Sequence, residues 1–236
     1  MICPDIFAIC GNAHSGKDTV TGMIKFCFAL NKGFKPRPLE TYNFVSPDFY
    51  RLESKIYTMR FADPIKQAIC GFIGCDIEDL ASDKFKETQL ESEWYSEKCQ
   101  KDSLNIRDLH TIIGDAMKEY FHQDIFAITT IKKAKKFTES FTDSFSGYKV
   151  CINDLRYPNE FECLKVENIP VIKVIRPNNS YSVQHSSEQF INSIDTPYII
   201  RNDSTLCDLL IKVSELMCEL GWIRNDTDKL IHEFYK

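Results

Sequence analysis

Apolar runs and helical periodicities alternate at the start of the chain. The run Ile6–Cys10 is apolar throughout and stops at Gly11. The next segment, residues 17–30, has apolar residues at helical spacing, among them Val20 and Ile24. A continuous apolar run followed by an amphipathic period predicts a buried strand, a loop and a helix, in that order.

The middle of the chain combines an aperiodic segment with helical ones. Residues 32–54 carry a glycine and three prolines and show no period, which predicts a loop or an insertion. Residues 56–61 have a strand pattern, and a helix is expected from 63 to 73 with Asp63 as its cap and Pro64 in its first turn. Further helices are predicted over 105–121 and 123–136, and short surface helices over 76–102.

The last third of the chain repeats this order more regularly. Strands are predicted over 149–153, 171–175 and 198–200, and helices over 158–166 and 204–220. Strands that are apolar on both faces and separated by helices predict a parallel sheet covered on each side. With no internal repeat or linker, we expect one α/β domain over 1–236, its core formed by about 5–62 and 148–220 and a helical part by about 63–136.

Composition and charge exclude several classes of protein. The chain has 236 residues, 43% of them hydrophobic, so it can bury one substantial core. A net charge of −5 argues against binding polymeric nucleic acid but is compatible with a small anionic ligand. We find no basic leader segment and no run near the roughly 20 apolar residues of a membrane helix. The ten cysteines form no C-x-x-C pair, so we expect buried free thiols in a soluble, cytoplasmic protein.

The sequence GNAHSGK, residues 11–17, lies between the first predicted strand and helix. A phosphate cradle needs inward-pointing backbone N–H groups, glycine where the turn is tight, and a helix N-terminus behind them. Gly11, Gly16 and Lys17 occupy the positions that this requires. The alternative is a tight glycine turn beside a solvated lysine. The residues expected to bind nucleotide phosphates are Gly11, Asn12, Ala13, His14, Ser15, Gly16, Lys17, Asp18 and Thr19.

Asp18 stands where this motif ordinarily has serine or threonine. A carboxylate is a hard oxygen ligand that suits Mg²⁺, so we expect Asp18 to contact the metal or its waters. Thr19 then supplies a hydroxyl near the α-phosphate. The alternative role of Asp18 is to compensate the positive end of the helix dipole.

A second polar cluster, DLRYPNE at residues 154–160, follows the strand predicted over 149–153. Ligands of an open α/β sheet bind outside the carboxyl ends of its strands, so Asp154 is expected to face the same crevice as the glycine-containing loop. There Asp154 can hold Mg²⁺ and Arg156 can neutralise a transferring phosphoryl group. The alternatives are that Asp154 caps the next helix or pairs with Arg156 alone.

An ordered set of short motifs resembles one enzyme family. The set comprises GNAHSGKDT, FADPIK (61–66), IRDL and IIGD (within 106–115), DLRYPNE, VIRP (174–177), HSSE (185–188) and RNDSTLCDL (201–209). Over about residues 6–213 it resembles the deoxynucleoside monophosphate kinases of T-even-like bacteriophages and large DNA viruses. The resemblance implies a P-loop kinase fold with a helical substrate-binding insertion. It also implies Mg²⁺-dependent transfer of the γ-phosphoryl group of ATP to a deoxynucleoside monophosphate.

The resemblance assigns the acceptor side as well. Lys66 matches a lysine that meets the monophosphate, and Arg107 matches an arginine in the helix lining the acceptor pocket. Asp63, Gly114 and Asp115 belong to the same two motifs. The departures from the family also lie here: Asp115 and Ala116 follow Gly114 where the family tends to have Thr-Asp, aspartate at 108 replaces a second arginine, and the 32–54 segment has no counterpart. The base preference of the enzyme therefore stays open.

Three further features have open roles. His185 and Glu188 are either a metal pair or hydrogen-bonding groups that order a loop. The basic run IKKAKK, residues 131–136, is either a lid over ATP or the solvated end of a helix. The resemblance also suggests a homodimer, and the cytoplasm of a host cell if the source is viral.

The chemistry implied by the resemblance needs no general base. A monophosphate has a second pKa near 6 and is already a dianionic nucleophile at neutral pH. Lys17, Arg156, Arg107 and Mg²⁺ would instead stabilise the charge that spreads in the transition state. The rival functions are another small-molecule P-loop kinase with the same GKD and PIK signatures, such as a phosphomevalonate kinase, and a non-catalytic nucleotide-binding module.

Overall fold

A computed structural model describes residues 4–46, 50–94, 103–141, 148–177 and 186–235, apart from the side chains of 93 and 186–188. The chain divides into two compact units. The first comprises Met1–Arg60 and Ile131–Lys236, and the second comprises Phe61–Thr130. The helical part predicted from the sequence covers about residues 63–136. Of these, residues 131–136 belong to the first unit.

Within the described residues, the first unit contains one sheet in which neighbouring strands are all parallel. The spatial order of its five strands is β2-β3-β1-β4-β5. The α/β class and the parallel sheet predicted from the sequence are therefore confirmed. The strands are β1 (Ile6–Cys10), β2 (Ile56–Met59), β3 (Lys149–Leu155), β4 (Val171–Ile175) and β5 (Tyr198–Arg201).

Ten α-helices accompany these strands in the described part of the chain. Each long helix predicted from periodicity is present, with ends that differ by at most three residues. The predicted surface helices within 76–102 are α4 and two short 3-10 helices, while residues 95–102 lie outside the described part. The helices are α1 (Lys17–Asn31), α2 (Arg51–Ser54), α3 (Asp63–Ile73), α4 (Asp83–Lys86), α5 (Ile106–Tyr120), α6 (Ile125–Glu139), α7 (Pro158–Val166), α8 (Ser186–Ser193), α9 (Leu206–Glu219) and α10 (Asn225–Tyr235).

Several predicted details are wrong. The cap of α3 is Ala62, and Asp63 is the first helical residue, with Pro64 following it in the first turn. Strand β2 ends at Met59, before the predicted residue 61, because the chain enters a turn and then α3. Helices α8 and α10 were not predicted, since their polar sequences mask the helical period.

Both faces of the central strands are buried. The residues of β1 from Phe7 to Cys10 each have a relative exposure of 0%, and successive side chains of a strand point to opposite faces. On one face, Phe7 and Ile9 belong to a core cluster with residues of α1 and α9, among them Met23 and Leu210. This burial fits a sheet that is covered on each side.

The described residues of the 32–54 segment pack on α1 through a cluster of aromatic rings. Phe26 of α1 contacts the rings of Tyr42 and Phe44, with centroid distances of 4.7 and 6.0 Å. The backbone of Phe44 lies so close to Gly22 that a Cβ there would be 2.1 Å from the Phe44 carbonyl oxygen. From α10, the Tyr235 hydroxyl donates to the Arg37 carbonyl at 2.6 Å. The segment is therefore an integral part of the core of the first unit.

The cysteines in the described residues are all free thiols. Cys10, Cys27 and Cys151 are fully buried in the first unit. Burial raises the pKa of Cys10 to about 11 and that of Cys151 to about 12, and it raises the pKa of Cys27 as well. The prediction of buried thiols is correct for Cys10 and Cys151, whereas Cys207 is only half-buried.

The second unit has its own small core between α3 and α5. Ile65, Ile69, Ile106 and Phe126 form part of it. Helix α5 begins with a capping box, in which the Asn105 side chain accepts from the Asp108 N–H and the Asp108 carboxylate accepts from the Asn105 N–H.

In the described residues of the whole chain, no helix combines the length and apolar character that crossing a membrane requires.

Candidate functional site

The loop of residues 11–16, here called the glycine loop, joins β1 to α1. Gly11 is buried, and a Cβ at this position would lie 2.6 Å from the Val174 carbonyl oxygen of β4 and 2.5 Å from Ser15 Oγ. Only glycine fits that approach without displacing backbone. The close contact of Gly11 with β4 thus holds the start of the loop against the sheet where β1 ends.

Gly16 ends the loop in a left-handed conformation, with a φ of 94°, and serves as the N-cap of α1. Glycine adopts this conformation without strain, whereas other residues do so rarely. Because a glycine has no side-chain oxygen, it leaves the N–H groups of the first helical turn to be satisfied by another group. An anion at this position would also face the positive end of the helix dipole.

Two side chains from neighbouring strand ends hold the glycine loop in place. Asn202, just after β5, donates from Nδ2 to the Ser15 carbonyl at 2.9 Å and from its backbone N–H to the Ile175 carbonyl at 2.8 Å. Arg176, just after β4, donates from Nη1 to the His14 carbonyl at 3.4 Å. The loop is therefore fastened on its outer side by β4 and β5.

Two buried polar atoms of the loop have no hydrogen-bond partner among the described residues. They are Ser15 Oγ and Asn12 Oδ1, although Asn12 Nδ2 donates to Asn192 Oδ1 at 3.0 Å. Ser15 is almost fully buried, with a relative exposure of 1%. Burying a polar group without a partner is costly, so these atoms favour a loop that completes its hydrogen bonds with a ligand or water.

The Lys17 side chain folds back across the loop. Its Nζ donates to the Gly11 carbonyl at 2.9 Å and to the Asn12 carbonyl at 3.2 Å. On the helical side, Thr21 Oγ1 donates to the Lys17 carbonyl at 2.9 Å. The ammonium group thus lies directly beside the backbone that would surround an anion.

The charge of Lys17 is set by its surroundings. Burial lowers its pKa, and the positive charge of Arg156 lowers it further, while Asp18, Cys10 and Asp154 act in the opposite direction. Asp154 lies in β3, and Arg156 lies in the loop after it. Both are therefore close enough to Lys17 to act on its charge. An anion bound in the loop would stabilise the charged ammonium group.

Strand β3 gains one residue relative to β1 near its carboxyl end. Between Ile152 and Leu155, β3 has two residues, Asn153 and Asp154, where β1 has only Ile9. A bulge of this kind changes the direction of the side chains around it. Here Asn153 is buried and Asp154 is half-buried. The prediction that Asp154 follows the strand is wrong, because the bulge keeps it within β3.

Asp18 takes part in a three-residue network. Its Oδ1 accepts from Asn153 Nδ2 at 3.0 Å and lies 3.5 Å from Arg60 Nη2. Arg60 Nε in turn donates to Asn153 Oδ1 at 3.3 Å. Sequence reasoning missed Asn153 and Arg60, which gain their importance only from the strand order.

Helix α7 begins at Pro158, three residues after β3 ends. Its N-cap is Tyr157, and the Glu160 carboxylate accepts from the backbone N–H groups of Arg156 and Tyr157 at 2.8 and 3.0 Å. The alternative in which Asp154 caps this helix is therefore wrong. The bond to Glu160 fixes the backbone of Arg156 just after β3, while the Arg156 side chain is exposed.

The basic run 131–136 lies in the last half of α6. Ile131 and Ala134 are buried, and Lys135 forms an ion pair with Glu167. The run is thus a helix end with one buried side. His185 and the side chain of Glu188 lie outside the described residues.

The predicted acceptor residues lie in the second unit, on α3 and α5. Arg107 Nε donates to Glu87 Oε1 at 2.7 Å, and its Nη2 lies 3.5 Å from Asp83 Oδ1. Gly114 is buried, and a Cβ there would lie 3.5 Å from Ile65, an ordinary packing distance. Asp63 and Lys66 are half-buried at the start of α3, and Asp115 is exposed.

His110 is a residue of this region that sequence reasoning missed. It lies on α5, one turn after Arg107. Burial lowers its pKa, and the charges of Lys66, Lys86 and Arg107 lower it further. Three basic side chains of the second unit thus act on His110.

We expect His110→Gln to make the fold less sensitive to acid. Above a pH of about 6.5, the ordinary pKa of histidine, residue 110 is neutral in both the folded and the unfolded chain and contributes no pH dependence. Below it, the unfolded chain binds a proton that the folded chain resists, so the wild type loses stability. Urea unfolding at pH 7.5 and 5.5 measures this loss, with the exposed His122→Gln as control. An equal loss in His110→Gln and wild type would contradict the assignment.

Comparison with known protein families and with curated proteins does not identify a family for this chain. No protein-family model matches the chain, and no curated protein matches it. In the described residues, no group of three or more His, Cys, Asp and Glu side chains is placed to hold a metal ion. A functional assignment therefore depends on the glycine loop and the strand ends beside it.

Proposed function

We propose that the chain is a deoxynucleoside monophosphate kinase with a P-loop kinase fold, which uses ATP and Mg²⁺. The observation that carries the proposal is the glycine loop. It combines a glycine in close contact with backbone, a left-handed glycine at the N-cap of α1, and an ammonium group lying across it. The motif resemblance supplies the phosphoryl acceptor.

The loop fits a polyphosphate chemically. The first turn of α1 offers backbone N–H groups, and the buried Ser15 hydroxyl has no partner among the described residues. Lys17 would exchange its bonds to two loop carbonyls for bonds to phosphate oxygens, which are charged and stronger acceptors. A neutral ligand would leave the lowered pKa of Lys17 uncompensated.

The residues beside the loop also fit Mg²⁺. Asp154 and Asp18 supply hard carboxylate oxygens, and protein-bound Mg²⁺ takes one or two carboxylates together with substrate phosphates and water. When bound, Mg²⁺ neutralises negative charge on the donor phosphates. Asp18 would share its carboxylate with Asn153 and Arg60, which already lie beside it.

The reaction follows from the charges. A phosphate oxygen of the acceptor attacks the γ-phosphorus of ATP, the bond from that phosphorus to the β–γ bridging oxygen breaks, and ADP leaves. Lys17 and Arg156 stabilise the negative charge that spreads over the transferring group. The acceptor is a dianion at neutral pH, so no protein group needs to remove a proton.

The acceptor monophosphate is assigned to the second unit. Lys66, Lys86 and Arg107 all lie close enough to His110 to lower its pKa, so they form a basic group in this unit that a monophosphate could contact. Asp83 and Glu87 now hold the Arg107 guanidinium. A monophosphate dianion would compete for it with a larger charge.

ADP formation with a panel of acceptors tests this function. The panel contains dAMP, dGMP, dCMP, dTMP, AMP and phosphomevalonate, each with ATP and either Mg²⁺ or EDTA. We expect at least one deoxynucleotide to raise ADP formation with Mg²⁺ and none to do so in EDTA. ADP formation only with phosphomevalonate would make the protein a different P-loop kinase. ATP binding without any acceptor-dependent turnover would make it a nucleotide-binding module.

A further inference from the structure

Arg60 stands at the same edge of the sheet as the glycine loop. It follows β2 directly, and β2, β3 and β1 are neighbours in a parallel sheet. Ligands of such sheets bind outside the carboxyl ends of the strands. Three adjacent strand ends therefore present Arg60, the bulge residues Asn153 and Asp154, and Gly11 to one edge.

The orientation of the Asn153 amide is fixed by its two partners. Asp18 carries a carboxylate that only accepts, and Arg60 carries a guanidinium that only donates. The amide NH₂ must therefore face Asp18, at 3.0 Å, and the amide oxygen must face Arg60, at 3.3 Å. Each of the three side chains limits where the other two can lie.

The three side chains differ in how much of their surface is exposed. Asn153 has a relative exposure of 4%, whereas the side chains of Arg60 and Asp18 are 40% and 51% exposed. Ion pairs this exposed contribute little to the stability of a fold. The buried amide, by contrast, is costly to leave without its partners. The network is therefore better suited to holding a cation in one place than to stabilising the unit.

We propose that Arg60 is a ligand of the terminal phosphoryl group of ATP, positioned by Asn153 and Asp18. The proposal rests on the proposed function. Arg60 comes from the strand on the far side of β3 from β1, so it approaches the loop from the side of Asp154 and Arg156, where transfer is proposed. A guanidinium fork binds two phosphate oxygens at once, which an ammonium group cannot do in the same geometry.

This role also accounts for an aspartate at the position after Lys17. A serine or threonine there would have a shorter side chain and no charge to hold an arginine. Asp18 meets both requirements, since its Oδ1 reaches Asn153 and lies 3.5 Å from Arg60 Nη2. The two roles of Asp18, metal ligand and arginine holder, differ in whether they depend on Mg²⁺.

Nucleotide affinity in EDTA tests the role of Arg60 without metal. We expect Arg60→Gln to weaken the binding of ATP about ten- to a hundredfold, the range for one charge-assisted hydrogen bond, and that of ADP much less. Titration calorimetry with ATP and with ADP gives both constants. Arg51→Gln is the matched control, because Arg51 lies before β2, at its opposite end, over the Tyr57 ring. Arg60→Lys, which keeps the charge but not the fork, should fall between wild type and Arg60→Gln, and it serves as the test if Arg60→Gln does not fold.

A double-mutant cycle tests the positioning. Asn153→Leu should weaken ATP binding in EDTA when Arg60 is present and have no effect in the Arg60→Gln background. Asp18→Asn should weaken ATP binding more when Arg60 is present than in the Arg60→Gln background, where only the relief of its repulsion of phosphate remains. Additive effects in both cycles would overturn the positioning role.

The outcomes for Arg60 and for the function are distinct. If Arg60→Gln binds ATP as tightly as wild type, or loses ATP and ADP affinity equally, Arg60 does not meet the terminal phosphate. If wild type binds no ATP with or without Mg²⁺, the proposed function itself is wrong. Acceptor-dependent turnover together with unchanged affinity in Arg60→Gln removes only the assignment of Arg60.

Discussion

Replacing Lys17 with alanine is expected to lower kcat about a thousandfold, the size of effect seen when one cation at a transferring phosphoryl group is lost. The Lys17 ammonium lies at the loop carbonyls of Gly11 and Asn12, where a polyphosphate would meet it. Its main role is in the transition state, so most of the loss should appear in kcat. Initial rates with ATP, Mg²⁺ and the best acceptor of the panel measure it.

The fold should survive this change. Lys17 is half-buried, and the loop whose carbonyls it contacts is also held by Asn202 and Arg176. Lys165→Ala is the matched control, since Lys165 is an exposed lysine on α7 whose partner is Glu162, and its activity should equal that of wild type. A Lys17→Ala protein with an unchanged melting temperature and more than a tenth of wild-type turnover would refute the catalytic role of the lysine.

Gly22→Ala is expected to lower the free energy of unfolding by about 3 kcal/mol, at the upper end of typical overpacking costs. The added Cβ would lie 2.1 Å from the Phe44 carbonyl oxygen and 2.8 Å from two further backbone atoms of Phe44. Backbone cannot rotate away as a flexible side chain can, so the chain at Phe44 must shift off α1. Thermal unfolding should show a fall in Tm of roughly 6–12 °C for a chain of this size.

Gly71→Ala provides the matched control, because Gly71 also lies within a helix. A Cβ there meets nothing within 4 Å, and alanine in a helix interior is more stable than glycine by about 0.5–1 kcal/mol. The same substitution should therefore stabilise the second unit slightly. Equal shifts in Tm for the two variants would mean that contact with Phe44 is not what requires glycine at residue 22.

The fold was predictable wherever the signal is local. β1, the glycine loop and α1 are encoded by an apolar run, two glycines and a helical period that follow one another within 31 residues. Helix α10 shows the limit of this approach. Its buried residues Thr227, Ile231 and Tyr235 do recur every four residues, but one of the three is polar, and the apolar Leu230 and Phe234 beside them are exposed. Contact with α1, α9 and the described residues of the 32–54 segment makes that face a core face.

The candidate site was predictable only in part, for the same reason. Lys17 and Asp18 follow from a contiguous motif, and Asp154 and Arg156 follow from the rule that ligands bind at strand ends. Arg60 and Asn153 do not, because their meeting with Asp18 requires β2 to lie next to β3 and β3 to contain a bulge. Neither the strand order nor the extra residue of the bulge can be predicted from the spacing of apolar and polar residues.

The buried thiols of the first unit have a practical consequence. Thiol reagents attack the thiolate, and Cys10, Cys27 and Cys151 have raised pKa values and no exposed surface. They can react only when the layers around the sheet separate. The rate at which a small alkylating reagent modifies them, followed by mass spectrometry of peptides, therefore reports the opening of β1, α1 and β3 separately, with no introduced label.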